Sequence, residues 1–492
     1  MMQHLPLFPI IIPLISAPIC ALMRRRAVLW SFLNIVTWVT FASSVALLYE
    51  INLNSTITYP MGGWIAPIGI EYRIDILNAF MMVLVSGIAA FVSIYAYRSV
   101  EFEIDQDRHH IYCSALLLCL TGLLGITITG DAFNVYVFLE ISSLASYAIV
   151  SIGRDPRALK AAFSYLIMGT IGATFILIGI GLMYMMTGTL NMADIANRLP
   201  EVKDTRTIQT AFAFLSVGLT LKIALFPMHS WLPNVYAYAP SVTTIFLSAT
   251  STKVSLYIFL RFLFTIYGAD YAFNQLAVTD ILLPLGLLGV FVATIAAIFQ
   301  TDLKRLLAYS SIAQIGYIIV GLSMATISGL TASITHIFNH GLIKAALFMA
   351  VGIIVLRMKT SDLRDLSGLG KRMPFTSFGF VLGGLGIIGV PLTAGFISKW
   401  YLLIGAFEQG WWITTILLLV SSLLSIVYVW RFVEVAYFKA VPDGAETILE
   451  GPLSMHLSMW LLLGLMIYFG LQTQFSAVIA QRAALWLLGG GS

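Results

Sequence analysis

The sequence predicts an all-α membrane protein with about 14 transmembrane helices. Hydrophobic residues make up 59% of its 492 residues and charged residues only 10%, whereas a soluble protein averages about 25% charged residues. A membrane-crossing helix needs about 20 mostly apolar residues, and runs of this kind recur along the whole chain. The longest hydrophilic stretch, around residues 188–207, is too short to hold a core of its own. We therefore expect one polytopic membrane domain over residues 1–492.

The apolar runs give the positions of the predicted spans, numbered 1 to 14 along the chain. Two weaker segments, 190–201 and 475–487, are amphipathic and are expected to lie at the membrane interface. The spans lie near residues 5–23, 27–48, 76–97, 111–129, 132–152, 161–187, 208–235, 241–266, 281–299, 306–325, 330–356, 375–400, 411–430 and 455–471.

The lysine and arginine residues support this division. Of the 27 such residues, 17 lie in loops that follow odd-numbered spans and four lie in loops that follow even-numbered spans. Because cytoplasmic loops carry the excess of positive charge, the odd-numbered loops are expected in the cytoplasm and both termini outside. The basic residues are scattered along the chain, which argues against a nucleic-acid groove.

Five ionisable residues lie deep within the predicted spans. They are Glu140, Lys222, Lys253, Lys344 and Lys399. A charge at the centre of a bilayer costs at least about 2.5–3.5 kcal/mol, so such residues usually face a protein interior and mark an ion pathway. Glu140 in span 5 and Lys222 in span 7 are natural partners because each charge stabilises the other. A static pair that only locks two helices together is the alternative.

Two of the lysines accompany predicted helix breaks. Lys222 precedes Pro227 in span 7, and Lys399 follows Pro391 and several glycines in span 12. Proline donates no backbone hydrogen bond and so opens a helix locally. A broken helix is tolerated in the membrane where it lines water or is packed in protein. Interrupted helices in corresponding halves of a chain indicate a transport site built on internal repeats.

Spans 8 and 11 extend the set of polar residues. Lys253 lies among hydroxyl-bearing residues that either hold a file of water or satisfy backbone carbonyls. His336, His340 and Lys344 recur every four residues and form one stripe on span 11. Histidine titrates near neutral pH, so a proton relay along this stripe is favoured. A metal site is the alternative, but no third ligand is evident. The remaining dinucleotide-like string, Gly384-x-Gly386-x-x-Gly389, has no preceding strand, so no cofactor is expected.

These motifs together resemble a known family. The segments LKIALFPMHSWLP at 221–233, AYAP at 237–240, TDLKRLLAYSSIAQIGY at 301–317 and GVPLTAGFISKW at 389–400 carry the resemblance, with the glutamate in span 5. They resemble the antiporter-like subunits of respiratory complex I and of the multisubunit Na⁺/H⁺ antiporters of the Mrp type. The resemblance covers nearly the whole chain. Its length, the segment at 159–196 and a lysine rather than glutamate in span 12 are most similar to the antiporter-like D subunit of the Mrp type.

The resemblance implies a fold and a function. It implies two inverted five-helix repeats, spans 4–8 over residues 111–266 and spans 9–13 over residues 281–437, with spans 7 and 12 broken. It implies a secondary transporter subunit, not an enzyme, that works with other membrane subunits in the plasma membrane of a prokaryotic cell and moves protons in exchange for Na⁺. The implied proton route runs along Glu140, Lys222, Lys253, His336, His340, Lys344 and Lys399.

Two alternatives remain open. The same proton module could serve a complex I-type NADH:quinone oxidoreductase or a membrane-bound hydrogenase, with every redox centre on partner subunits. It could also be a scaffold that transports nothing, in which case neutralising the five buried charges would have little effect.

Overall fold

The computed structural model describes residues 2–54, 56–442 and 448–489. The described chain is predominantly helical, as the composition predicts. Its first half contains the helices α1 Phe8–Leu22, α2 Arg26–Asn54, α3 Ile76–Glu103, α4 His109–Ile128, α5 Ala132–Ser151, α6 Pro156–Thr187, α7 Met192–Val202, α8 Arg206–Ile223, α9 Leu232–Tyr238 and α10 Ser241–Leu260. Its second half contains α11 Val278–Ile298, α12 Leu303–Ser323, α13 Ile327–Met358, α14 Leu369–Arg372, α15 Pro374–Ile388, α16 Ala394–Glu408, α17 Trp412–Val433, α18 Leu453–Leu471 and α19 Ser476–Leu487.

A short hairpin in the described residues was not predicted from the sequence. Its strands are β1 Ile57–Pro60 and β2 Glu71–Ile74, which pair antiparallel. They lie in the loop between α2 and α3, where prolines and glycines interrupt the apolar residues and no run marks a membrane span. The hairpin leads directly into Asp75, the cap residue of α3.

Twelve helices in the described part of the chain are long and apolar enough to cross a membrane. The two remaining predicted spans are those in which a break was expected. In the first, α8 ends at Ile223 and α9 begins only at Leu232. In the second, α15 ends at Ile388 and α16 begins at Ala394. Each break splits an apolar stretch into two shorter helices.

Short polar side chains fix where several helices begin. Asp131 accepts a hydrogen bond from the backbone N–H of Asn134 at the start of α5, and Asp302 does the same for Arg305 at the start of α12. These caps satisfy N–H groups that have no partner within the helix. The helices at the two breaks end without such a side-chain cap. Ala224 after α8 and Gly389 after α15 adopt positive φ angles of 61° and 85°. A left-handed residue of this kind ends a helix.

The core lies around α13, which packs against α3, α10, α12, α15, α16, α18 and α19. Helices α10, α12 and α13 are buried along almost their whole length. Helices α6, α11 and α17 instead expose rows of large apolar side chains, as expected of helices that face lipid or another membrane subunit. Two of these buried helices carry predicted site residues, Lys253 on α10 and His336, His340 and Lys344 on α13, so these residues lie in the protein interior.

Candidate functional site

Lys222 lies at the first helix break. It is the second-last residue of α8, it is 8% exposed, and its Nζ atom donates a hydrogen bond to Ser143 Oγ on α5 at 2.8 Å. The break beside it is held by Trp231, whose indole N–H donates to the carbonyl of Leu221 at 3.1 Å. The break thus places a buried ammonium group beside non-helical backbone, and the Trp231 hydrogen bond fixes the course of that backbone.

The expected ion pair between Glu140 and Lys222 is not formed in this conformation. Glu140 is half-buried on α5, and its Oε1 atom is buried without a hydrogen-bond partner. Ser143 lies one turn further along the same helix and accepts the hydrogen bond from Lys222. Sequence spacing cannot distinguish these two acceptors, because positions i and i+3 share one helix face.

A small cavity separates Lys222 from α10. Its volume is about 20 Å³, and its polar wall is formed by Ser142, Ser143, Ser146, Lys222, Ser251 and Ser255. A cavity of about 10–15 Å³ with several polar partners is sufficient for one water molecule. Ser251 and Ser255 lie on the same helix as Lys253, two residues before and after it, and Lys253 itself does not line the cavity.

Lys253 is fully buried in the middle of α10. Its Nζ atom donates to the backbone carbonyl of Ser248 and lies 3.4 Å from Thr252 Oγ1. Neighbouring hydroxyls satisfy backbone carbonyls. Thr250 bonds the carbonyl of Phe246, and Ser255, which lines the cavity together with Ser251, bonds the carbonyl of Ser251.

The two histidines of α13 are stacked in parallel. Their ring centroids are 5.8 Å apart with an interplanar angle of 7°. The His336 ring nitrogens lie 2.7 Å from Ser398 Oγ on α16 and 2.9 Å from Gln314 Oε1 on α12. Both ring nitrogens of His340 are buried without a hydrogen-bond partner. The charges of Lys253 and Lys399 act on both rings, and the charge of Lys344 also acts on His340, so the pair lies in the electrostatic field of three lysines.

Lys344 shares the histidine stripe, but its side chain turns toward α12. Its Nζ atom donates to the carbonyl of Leu307 at 2.7 Å and to the hydroxyl of Ser310. It is fully buried. The regular spacing on α13 predicts that the three residues lie on one face, but the structure directs Lys344 to partners other than the histidines.

Lys399 is held by the second helix break. Its Nζ atom donates to the carbonyls of Ile387 at 2.9 Å and Ile388 at 3.0 Å, and to Ser422 Oγ on α17 at 3.1 Å. The last carbonyls of a helix lack partners within the helix and carry partial negative charge. The break therefore turns the end of α15 into an acceptor site for the lysine.

Several partners of these groups were not predicted from the sequence. They are Ser143, Ser310, Gln314, Ser398, Ser422 and Tyr317, whose ring centre lies 4.6 Å from Lys399 Nζ. Each is a neutral polar residue in an apolar span, whereas the sequence prediction considered ionisable residues. Hydroxyl and amide side chains within predicted spans are the signal that would have included all six.

The described residues thus form an integral membrane protein in which lysines and histidines are brought together at two helix breaks and along α13. Comparison with known proteins identifies the family. Residues 129–425 match the family described as NADH:quinone oxidoreductase/Mrp antiporter, transmembrane region. The chain belongs to this family, as the sequence motifs predicted, and it is a multi-pass membrane protein.

Relatives and solved structures resemble the chain over almost its whole length. The N subunit of NADH-quinone oxidoreductase from Desulforudis audaxviator is 39% identical, covering 99% of this chain and 100% of the relative. The D subunit of the Na⁺/H⁺ antiporter from Bacillus subtilis is 29% identical, covering 99% and 98%. A chain of the archaeal membrane-bound sulfane sulfur reductase matches with a TM-score of 0.89 and 30% identity, covering 99% and 98%. A chain of the Mrp complex from Dietzia sp. matches in fold with a TM-score of 0.91 at 23% identity, covering 99% and 98%.

Proposed function

We propose that this chain is the proton-translocating subunit of a multisubunit Na⁺/H⁺ antiporter. The observation that carries the proposal is the series of buried groups from Lys222 through Lys253 and the two histidines to Lys399. Lysine and histidine side chains both bind and release protons, and histidine does so near neutral pH. Groups of this kind are expensive to bury, which favours a role in transport.

The proposed transfer begins at Lys222. Its ammonium group gives a proton through Ser143 and the adjoining cavity toward Lys253, and Lys222 becomes neutral. The neutral Lys222 then takes up the next proton from the side of the site where Glu140 lies. Lys222 is charged again, and the Glu140–Lys222 pair is back in its starting state. From Lys253 the proton passes to His340 and His336, and through Ser398 it reaches the surroundings of Lys399.

We also propose 14 membrane crossings arranged as two inverted repeats, residues 111–266 and 281–437. Two equivalent backbone contacts support the repeats. Asp131 pairs antiparallel with Asn191 across α5 and α6, and Asp302 pairs antiparallel with Asp362 across α12 and α13. The number of residues that separates the two paired positions along the chain is the same in both contacts. The distribution of basic residues assigns the first contact to the outside and the second to the cytoplasm, as inversion requires.

The relatives support partner subunits in the membrane. The similar solved chains belong to an Mrp complex and to a membrane-bound sulfane sulfur reductase. The 39% identity to an N subunit of NADH-quinone oxidoreductase also favours a second candidate, in which the same proton route serves a redox complex. Under that candidate the redox centres lie on partner subunits, and this chain remains a translocating subunit.

The test is Na⁺-driven proton flux in vesicles that contain the whole purified complex. Wild type should acidify or alkalinise the lumen in response to a Na⁺ gradient, and Lys222→Ala and Glu140→Ala should abolish this response with the complex still assembled. Proton flux that requires NADH or another electron donor, but not a Na⁺ gradient, would favour the redox candidate. Normal flux in both variants would contradict the proposed route and favour a scaffold.

A further inference from the structure

The helix α15, which ends at the second break, begins without a side-chain cap from its own neighbours. Pro374 has no N–H group to donate, and the N–H group of Ser377 is bound to a backbone carbonyl. The N–H groups of Phe375 and Thr376 remain, and such groups at the start of a helix need an acceptor from outside it. By contrast, α8 before the first break is capped by the residue that precedes it, Thr205.

Glu450, from the loop before α18, supplies the missing cap. Its Oε1 atom accepts hydrogen bonds from the backbone N–H groups of Phe375 at 2.7 Å and Thr376 at 3.4 Å, and its Oε2 atom accepts one from Thr376 Oγ1 at 2.6 Å. A carboxylate at the start of a helix also complements the partial positive charge there. Glu450 therefore fixes the position at which α15 begins.

The opposite end of α15 binds Lys399. The carbonyls of Ile387 and Ile388 accept hydrogen bonds from the lysine at 2.9 and 3.0 Å. The helix has 15 residues, so its ends are about 22 Å apart. Each end thus binds a side chain whose charge is opposite to its own partial charge. Because a helix this short moves as one unit, the position of its start determines the position of the carbonyls that bind Lys399.

Glu450 also connects α15 with the helix that carries the histidines. Its backbone carbonyl accepts two hydrogen bonds from the guanidinium group of Arg357, at 3.0 and 2.7 Å. Arg357 lies in the last turn of α13, the helix of His336 and His340. One residue therefore joins the end of α13 to the start of α15.

A histidine lies beside the same carboxylate. His456 is in the first turn of α18, and its Nε2 atom lies 3.2 Å from Glu450 Oε2. Glu450 and Arg357 are the charged groups that act on it, and α15 itself contains no ionisable residue. The distribution of basic residues places this end of the helices in the cytoplasm. Histidine gains a proton as the pH falls through neutrality, and the charged ring then attracts the carboxylate.

We propose that Glu450 is a positioning residue for Lys399, which it places through α15, and that protonation of His456 from the cytoplasm strengthens this placement. The inference rests on the proposed function. Glu450 contacts neither Lys399 nor the histidines of α13, so it acts through the helix that it caps. The rate of transport should therefore depend on the charge of His456, a group that lies off the proposed proton route.

The test measures initial Na⁺-driven proton flux in vesicles that contain the assembled complex, with the pH on the cytoplasmic side set between about 5.5 and 8.5. Each variant is compared with wild type at the same pH and gradients. Glu450→Gln should lower the flux by about fivefold at every pH, as expected for the loss of a helix cap. His456→Gln keeps the cap, so it should match wild type at the alkaline end and fall below about half of wild type at the acid end, where only wild type has the charged ring.

The two effects should not add. In the Glu450→Gln background, His456→Gln should have no further effect, because the carboxylate on which the histidine acts is absent. Glu434→Gln and His4→Gln are the controls, since both side chains are exposed and neither contacts α15. Both should retain the wild-type flux and pH profile.

Two results would contradict the proposal. One is wild-type flux in Glu450→Gln, and the other is a ratio of His456→Gln to wild-type flux that is the same at every pH. Should Glu450→Gln fail to assemble, the pH profile of His456→Gln decides alone, because that variant leaves every hydrogen bond of the cap in place. Failure of the proposed function would look different, because wild type and Lys222→Ala would then have the same flux.

Discussion

The ammonium nitrogen of Lys222 lies 2.8 Å from the hydroxyl oxygen of Ser143, one helical turn along α5 from Glu140. The lysine at the first helix break is therefore bound by a neutral group, and the carboxylate beside it remains without a partner for its Oε1 atom. Glu140 and Ser143 thus lie on one face of α5, and in this conformation only Ser143 binds Lys222.

Removing the Ser143 hydroxyl should slow transport without abolishing it. A hydrogen bond to a charged group contributes about 1.5 kcal/mol, so Ser143→Ala should lower the proton flux by about tenfold. Ser142 and Ser146 still line the same cavity and should sustain the rest. Ser151→Ala at the end of α5 is the control, since that hydroxyl bonds only the carbonyl of Ala148. Equal proton flux in the two variants would show that Ser143 is not part of the proton route.

We expect His340 to contribute to proton transport and to lower the stability of the folded protein. Both of its ring nitrogens are buried without a partner, and burying an unbonded polar group costs about 1–3 kcal/mol. His340→Leu should therefore raise the thermal unfolding temperature of the complex and lower its proton flux. A variant that loses stability would indicate that the ring is a structural element with partners of its own.

The conformation at Gly389 should be essential for the position of Lys399. Gly389 has φ +85°, and a Cβ atom there would lie 2.9 Å from Lys399 Cδ. Gly389→Ala should destabilise the protein by about 1–2 kcal/mol through the left-handed backbone alone, and it should also displace the lysine and reduce flux. Gly181→Ala on α6 is the control, because nothing lies within 4 Å of its added methyl group. Wild-type flux in Gly389→Ala would show that Lys399 tolerates displacement.

A buried ion pair at the far end of α10 should contribute strongly to stability. Arg261 donates to Asp75 at 2.6 Å, and the two side chains are only 6% and 3% exposed. Asp75→Asn leaves the guanidinium without its counter-charge, which should cost about 3–5 kcal/mol. Asp155→Asn breaks the exposed pair with Arg157 and should cost less than about 1 kcal/mol. Thermal or chemical denaturation of the two variants measures the difference, and similar values would contradict it.

The sequence predicted the class of fold and the depth of the site residues because both depend on local patterns. Apolar runs of sufficient length mark the helices, and a charge such as Lys253 within a run must face the interior. Pro227 and Pro391 marked the two breaks, since the effect of proline on a helix is local. The structure describes helices that end at Ile223 and Ile388, close to these prolines.

The partners of the site residues could not be predicted in this way, because they depend on packing between distant helices. The sequence paired Lys222 with Glu140, and packing instead brings Ser143 to the lysine. His336 contacts Gln314 and Ser398, which come from two other helices. The β1–β2 hairpin was missed for another reason, since it lies in a loop where prolines and glycines interrupt the apolar residues and the hydropathy pattern assigns no structure.

The central claim is that protons cross through the buried lysines, and Lys253 offers its most direct test. Lys253 is fully buried in the middle of α10, whereas Lys160 is exposed near the start of α6. Proton flux should be measured in vesicles that contain the assembled complex with Lys253→Met or Lys160→Met. Lys253→Met is predicted to retain less than about 5% of the wild-type flux, because methionine at this position neither binds nor releases a proton, and Lys160→Met should match wild type. Wild-type flux in Lys253→Met would contradict the account.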